Sequence, residues 1–109
     1  MNKRLETTED LLDFSMERLI ECLEILSVKN ADYAGDDGVF ANFEATTAMG
    51  IDPLLGLLIR SLDKLRRIKT FADKGELSVE NESVDDAFND LINYMLIGKG
   101  MIHNRRLLD

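Results

Sequence analysis

The sequence predicts an all-α protein, a bundle of three to four main helices interrupted by one long irregular loop. Three observations carry that reading. Apolar residues recur at alternating steps of four and three along three separate stretches, the period of a helix buried on one side. Proline occurs once, at Pro53, and there it follows Asp52, a pairing that starts helices. Thr7 and Asp10 are spaced as a capping box at the head of the first apolar series. With 109 residues the chain is expected to form a single domain, 1–109, with a modest core.

The first helix is predicted over about 8–29. Leu12, Met16, Leu19, Leu23 and Leu26 make a seam, and Phe14, Ile20 and Ile25 widen it. So broad an apolar surface predicts packing on two sides, within a bundle or at a subunit interface. Glu17, Glu21 and Glu24 fall on another strip. They read as a charged outer face, or as metal ligands if the last helix brings its carboxylates opposite.

Lys29 to Glu44 is the least helical stretch, with Gly35, Gly38, Asn42, several aspartates and three aromatics. Phe40 and Phe43 are expected to pin it to the helices. Tyr33 caps the core or stacks on a base, and Lys29 and Asp32 stand where the first helix is expected to end. Glu44 to Gly50 reads as a short helical turn.

The second long helix is predicted over about 52–71, capped by Asp52, with Leu55, Leu58, Leu62 and Leu65 as its seam. Its polar side concentrates Arg60, Asp63, Lys64, Arg66, Arg67 and Lys69, an unusual cationic strip in an acidic chain. Arg60, Lys64 and Arg67 recur at steps of four and three, a spacing suited to clamping phosphate. A solvated face is the alternative.

The third long helix is predicted over about 81–98, capped by Asn81; the C-terminal stretch, with a candidate helix over 101–108, either continues it after a kink or docks as a short tail. Val84, Phe88, Leu91 and Met95 form its apolar stripe. Glu82, Asp86, Asp90 and Asn93 recur on another face, and no lysine lies between Gly75 and Gly98 to relieve the repulsion. A row of carboxylates suits a hard divalent cation such as Mg²⁺ near phosphate, with Mn²⁺ as a substitute. A solvated acidic N-terminus accounts for Glu82, Asp85 and Asp86. Asp90 and Asn93 lie too far along for that explanation.

The formal net charge is −8, unfavourable for general nucleic-acid binding. Cys22 is the single cysteine, so no internal disulfide forms and a reducing cytoplasm is expected. No apolar run reaches the length of a membrane span. His103 has no companion for a structural zinc site, and neither a hydrolase triad nor a glycine-rich phosphate loop is present.

The series Lys29-x-x-Asp32-Tyr33, Phe40-x-Asn42-Phe43, Arg60-x-x-Asp63-Lys64-x-x-Arg67 and Glu82-Ser83-x-x-Asp86-x-x-x-Asp90-Leu91-x-Asn93-Tyr94 resembles a phage and bacterial family. That family is nucleotide modification associated domain 1, itself similar to the MazG-like all-helical nucleoside triphosphate pyrophosphatases. The resemblance implies a MazG-like helical bundle, often oligomeric, holding Mg²⁺ between helices. By that resemblance Asp63, Glu82, Asp86 and Asp90 are metal ligands, and Glu82, Asp86 and Asp90 also serve the reaction. Arg60, Lys64, Arg67, Lys29, Tyr33 and Asn93 bind substrate. The sequence departs from MazG-like order, because a basic helix separates Glu21-x-x-Glu24 from Glu82-x-x-Asp85.

The expected activity is Mg²⁺-dependent pyrophosphohydrolysis of a deoxynucleoside triphosphate or its relatives, in phage nucleotide metabolism and in the bacterial cytoplasm. The alternatives are nucleotide binding without turnover, and an acidic phage protein that binds and inhibits a host protein. A homo-oligomer, most simply a dimer, is expected from the excess of apolar helix surface.

Overall fold

The computed structural model describes residues 3–34, 40–76 and 83–107; for 30–34 and 42 only the backbone is described. The described residues are helical throughout their ordered elements, without a strand, so the fold is all-α. α1 spans Thr8–Ala34, α2 spans Ala41–Glu44 and runs into a 3₁₀ turn at Ala45–Met49, α3 spans Pro53–Lys74, and α4 spans Val84–Arg106.

The helix starts follow local chemistry. Thr7 Oγ1 accepts from the Asp10 amide at 3.0 Å, and Asp10 Oδ2 accepts from the Thr7 and Glu6 amides at 3.1 Å. That reciprocal box opens α1 with an aspartate in the place usually held by glutamate. Asp52 caps α3 by accepting from the Leu54 amide at 2.8 Å, with Pro53 in the first turn, where its missing N–H costs nothing. Gly75, at φ 77°, closes α3 in a left-handed conformation open to glycine.

Three helix limits differ from the expected ones. α1 continues to Ala34, so Lys29, Asp32 and Tyr33 are helical rather than the start of a loop. α4 is capped by Ser83, whose Oγ accepts from the Asp86 amide at 3.1 Å; Asn81 and Glu82 lie outside the described residues. Of the two courses open to the C-terminal stretch, continuation holds: α4 passes through Gly98 and Gly100 to Arg106 as one helix. Those glycines give room rather than an end. A Cβ on Gly98 would stand 3.0 Å from Leu57 Cδ2, and one on Gly100 would stand 2.9 Å from the Phe40 ring.

The core lies where α2, α3 and α4 meet. Phe43, Leu57 and Met101 are buried together, with Phe40, Leu54, Tyr94 and Ile97 packed around them. Phe43 meets Tyr94 edge to face, with ring centroids 6.2 Å apart. Phe40 and Phe43 thus anchor the segment between α1 and α3, as their chemistry predicts. Arg105 near the end of α4 pairs with Asp52 at the head of α3. α1 packs along the other side of α4, where the buried Cys22 thiol donates to Asn89 Oδ1 at 3.4 Å.

The apolar seams read from the sequence are not the faces used inside the chain. α3 meets its neighbours through Leu54, Leu57 and Ser61, whereas Leu55, Leu58, Leu62 and Leu65 remain exposed. On α1 the inward residue is Cys22, and Leu12, Met16, Leu19 and Leu23 remain exposed. No described helix is long and apolar enough to cross a membrane.

Candidate functional site

α1, α3 and α4 together line a cleft of about 330 Å³. α1 contributes Ile25 and Lys29, α3 contributes Lys64 and Arg67, and the first two turns of α4 contribute Asp86, Asn89 and Asp90 beside the capping Ser83. Three cations and two carboxylates therefore share one small space. Helical spacing explains each. Cys22, Ile25 and Lys29 form the α1 stripe against α4, and Lys64 and Arg67 follow one another by three residues. Asp86 and Asp90 stand one turn apart.

Asp90 is the centre of the cleft. Its Oδ1 accepts from Lys29 Nζ at 3.0 Å and its Oδ2 lies 3.1 Å from Lys64 Nζ. Burial opposes the charge of this carboxylate, but the hydrogen bonds and charges of Lys29 and Lys64 outweigh it and hold Asp90 below the ordinary aspartate range. The row of carboxylates on α4 lacks a lysine of its own, and the fold supplies cations from both neighbouring helices. Beneath the cleft, burial together with the charges of Glu21 and Asp90 pushes the Cys22 thiol up. Cys22 stays a neutral packing group rather than a nucleophile.

The other residues singled out in the sequence lie elsewhere. Asp63 pairs with Arg67 at 3.2 Å one helical turn away, beside the cleft rather than lining it. Arg60 stacks on the Phe43 ring, 5.1 Å from its centroid, and holds the anchor segment instead of facing the acidic row. Asn93, only 4% exposed, lies one turn beyond Asn89 on α4, and its Oδ1 has no hydrogen-bond partner among the described residues. Glu82 and the Tyr33 and Asp32 side chains lie outside the described residues. Glu21 pairs with Arg18 at 3.2 Å and faces a different groove.

Among the described residues no three carboxylate, histidine or cysteine side chains converge as a metal cage. Mg²⁺ takes only one or two carboxylates when phosphates supply further oxygens, and Asp86 with Asp90 is such a pair. The donor set fits a metal that arrives with a phosphate ligand. It does not fit one held by protein alone.

Residues 56–103 match the family model of nucleotide modification associated domain 1. The matched stretch takes in α3 from its first turn and α4 almost to its end, and with them Lys64, Arg67, Asp86 and Asp90. Lys29 lies outside the match, although the fold brings it to the same carboxylate. No curated protein and no solved structure matches the chain.

Two contributors escaped sequence reasoning. Asn89 lines the cleft and accepts from Cys22; its position three residues after Asp86 placed it on the right face, but an uncharged residue between two aspartates draws no notice. Ser83 caps α4, and the Ser83-x-x-Asp86 spacing was a legible signal.

Proposed function

We propose that the cleft binds the phosphate chain of a nucleotide and, with Mg²⁺, hydrolyses a nucleoside triphosphate to the monophosphate and pyrophosphate. The observation that carries the binding half is the meeting in one cleft of Lys29 from α1 and Lys64 and Arg67 from α3 with Asp86 and Asp90 of α4. Surface lysines scatter, whereas Lys64 is held with its side chain only 16% exposed. The match to a nucleotide modification associated domain supports the ligand class. The hydrolytic half draws on the resemblance of the sequence to MazG-like pyrophosphatases.

In this reading Lys29, Lys64 and Arg67 offset phosphate charge, Arg67 as a planar fork and the lysines as point charges. Asp86 and Asp90 would hold the ion, and the sequence offers Glu82 as a further carboxylate. Bound there, Mg²⁺ neutralises phosphate oxygens and acidifies an attacking water. Without ligand, Lys29 and Lys64 neutralise Asp90; with ligand, they turn toward the phosphates and release both Asp90 oxygens. Asn93 Oδ1, one turn along α4 from Asn89 and without a partner among the described residues, offers an acceptor to a ligand N–H or hydroxyl.

The test is calorimetric titration of deoxynucleoside triphosphates with and without Mg²⁺, followed by measurement of pyrophosphate release. Binding that Lys64→Ala weakens by about tenfold or more is expected, since a charge-assisted contact to phosphate is lost. No binding of any natural or base-modified triphosphate would remove the proposal. A second reading, binding without turnover, draws on the pairing of Asp90 with two lysines, which leaves few carboxylate oxygens for a metal. Mg²⁺-dependent binding without pyrophosphate release on long incubation would select it.

A further inference from the structure

We propose that the groove between α1 and α4 takes the base of the nucleotide whose phosphates lie in the cleft, and that the polar edge of this groove selects guanine. The inference rests on the phosphate reading of the cleft for its ligand class.

The groove has a volume of about 710 Å³, a size that suits a small molecule. Its walls are apolar, with Phe14 and Leu19 from α1 and Phe88 and Ile92 from α4. All four are more than a third exposed. Two rings on opposite walls suit a flat heterocycle, which stacks on aromatic carbon. Stacking holds any base and prefers none, so selection has to come from polar atoms.

Those atoms lie on α4. Asp85 and Asn89 stand one helical turn apart and both line the groove. The Asn89 amide is oriented, because its Oδ1 accepts from the Cys22 thiol at 3.4 Å and leaves Nδ2 as the free end. Burial keeps that thiol protonated and able to donate. Asp85 has no hydrogen bond or ion pair among the described residues. Arg18 also lines the groove, but Glu17 and Glu21 engage it and it lies over the Phe14 ring. Asp85 suits the α4 dipole as well, and the variants below separate the two roles.

Along α4 this edge is one donor followed by two acceptors, the Asn89 N–H and then the two Asp85 oxygens. Guanine presents the complement: O6 as an acceptor, then N1–H and N2–H as donors. A carboxylate accepts two parallel N–H groups bidentately. Thymine and uracil set a carbonyl where guanine has its amine, against a carboxylate oxygen. Adenine and cytosine set a ring-nitrogen acceptor in the central place, also against a carboxylate oxygen.

The groove and the cleft meet at Asn89, which lines both. Asp85 and Asp86 are neighbours about 100° apart around α4, so one borders the groove and the other the cleft. A nucleotide passing Asn89 sets its base against Asp85 and its phosphates against Lys64 and Arg67.

The experiment is calorimetric titration with the four common deoxynucleoside triphosphates, with pyrophosphate and with deoxyguanosine. dGTP should bind at least about tenfold tighter than dTTP, dCTP or dATP. Asp85→Asn should erase the preference for dGTP over dTTP. It should also favour deoxyxanthosine triphosphate, whose O2 replaces the guanine amine and meets the new amide N–H. Asp85 is exposed, so the variant does not burden folding, and the ratio between nucleotides cancels the altered charge. Phe88→Ala should weaken all four triphosphates alike, by about tenfold. Equal affinities for the four, a preference for another base, or a dGTP preference that Asp85→Asn leaves intact overturns the proposal. Pyrophosphate binding without any base preference refutes the groove and spares the cleft. Deoxyguanosine binding without pyrophosphate binding refutes the cleft and supports the groove, and no binding of any of them refutes both.

Discussion

Replacing Asp90 with asparagine removes one charge from the junction of three helices while keeping shape and one acceptor oxygen. The wild-type carboxylate sits 3.0 Å from Lys29 Nζ and 3.1 Å from Lys64 Nζ. At an effective dielectric near 20, each contact has a gross attraction of about 5 kcal/mol. Desolvation cancels most of this. Asp90 and Lys64 have side chains only 18% and 16% exposed, so their pair lies toward the buried limit, where breaking a pair costs about 3–5 kcal/mol. Lys29 is 47% exposed, and its pair is discounted to about 0.5 kcal/mol. Asparagine retains part of the hydrogen bonding, which leaves a net loss of about 2–3 kcal/mol. Urea denaturation followed by helical circular dichroism reads it as a midpoint lowered by about 1–2 M at constant slope. A loss below about 0.5 kcal/mol would refute the claim that Asp90 joins the helices. The same variant gives the opposite sign for ligand. With Asp90 neutral, Lys29 and Lys64 meet less competition, and pyrophosphate without metal should bind more tightly than to wild type. Mg²⁺-dependent binding should weaken.

Acid should act on the same junction. Because the folded state holds the Asp90 pKa down, its contribution is complete above the ordinary aspartate range near 4 and is lost as pH falls through the lower folded value. The stability difference between wild type and Asp90→Asn should therefore shrink on titration below about pH 4; a constant difference would deny the linkage. Gly98→Ala gains about 1 kcal/mol of helix propensity, yet its Cβ would meet Leu57, which is fully buried and cannot swing away. A net loss of about 1 kcal/mol is expected, and a raised Tm would show that the site has slack. Asn93→Leu replaces a buried amide whose Oδ1 lacks a partner among the described residues. Stability should hold or rise by about 1 kcal/mol while nucleotide affinity falls, and calorimetry showing unchanged affinity would remove Asn93 from the site.

Local chemistry was enough to place much of the fold. The Thr7–Asp10 box and the Asp52-Pro53 start each act within one turn of chain, so their readings carry over to the structure. The anchoring role of Phe40 and Phe43 was equally legible, because two exposed aromatics in a short polar segment would be costly. Long helices read less well at their ends. Lys29 to Ala34 remains helical, and α4 passes through two glycines, because contacts with Leu57 and Phe40 need the space a missing side chain leaves.

What periodicity could not decide was which neighbour each stripe serves. The seams at Leu12–Leu23 and Leu55–Leu65 carry the strongest helical signal, yet the chain packs through Cys22, Leu57 and Ser61. An apolar stripe shows that a face needs covering and contains nothing about what covers it. The candidate site divides in the same way. Asp86, Asp90, Lys64 and Arg67 announced themselves by spacing on their own helices. That Lys29, 61 positions from Asp90, completes the cleft follows only from α1 and α3 flanking α4. Arg60 fits the same period as Lys64 and Arg67, but the Phe43 ring takes it. Helical spacing fixes angles around one axis, and the distances between axes that bring three cations to two carboxylates belong to the tertiary structure alone.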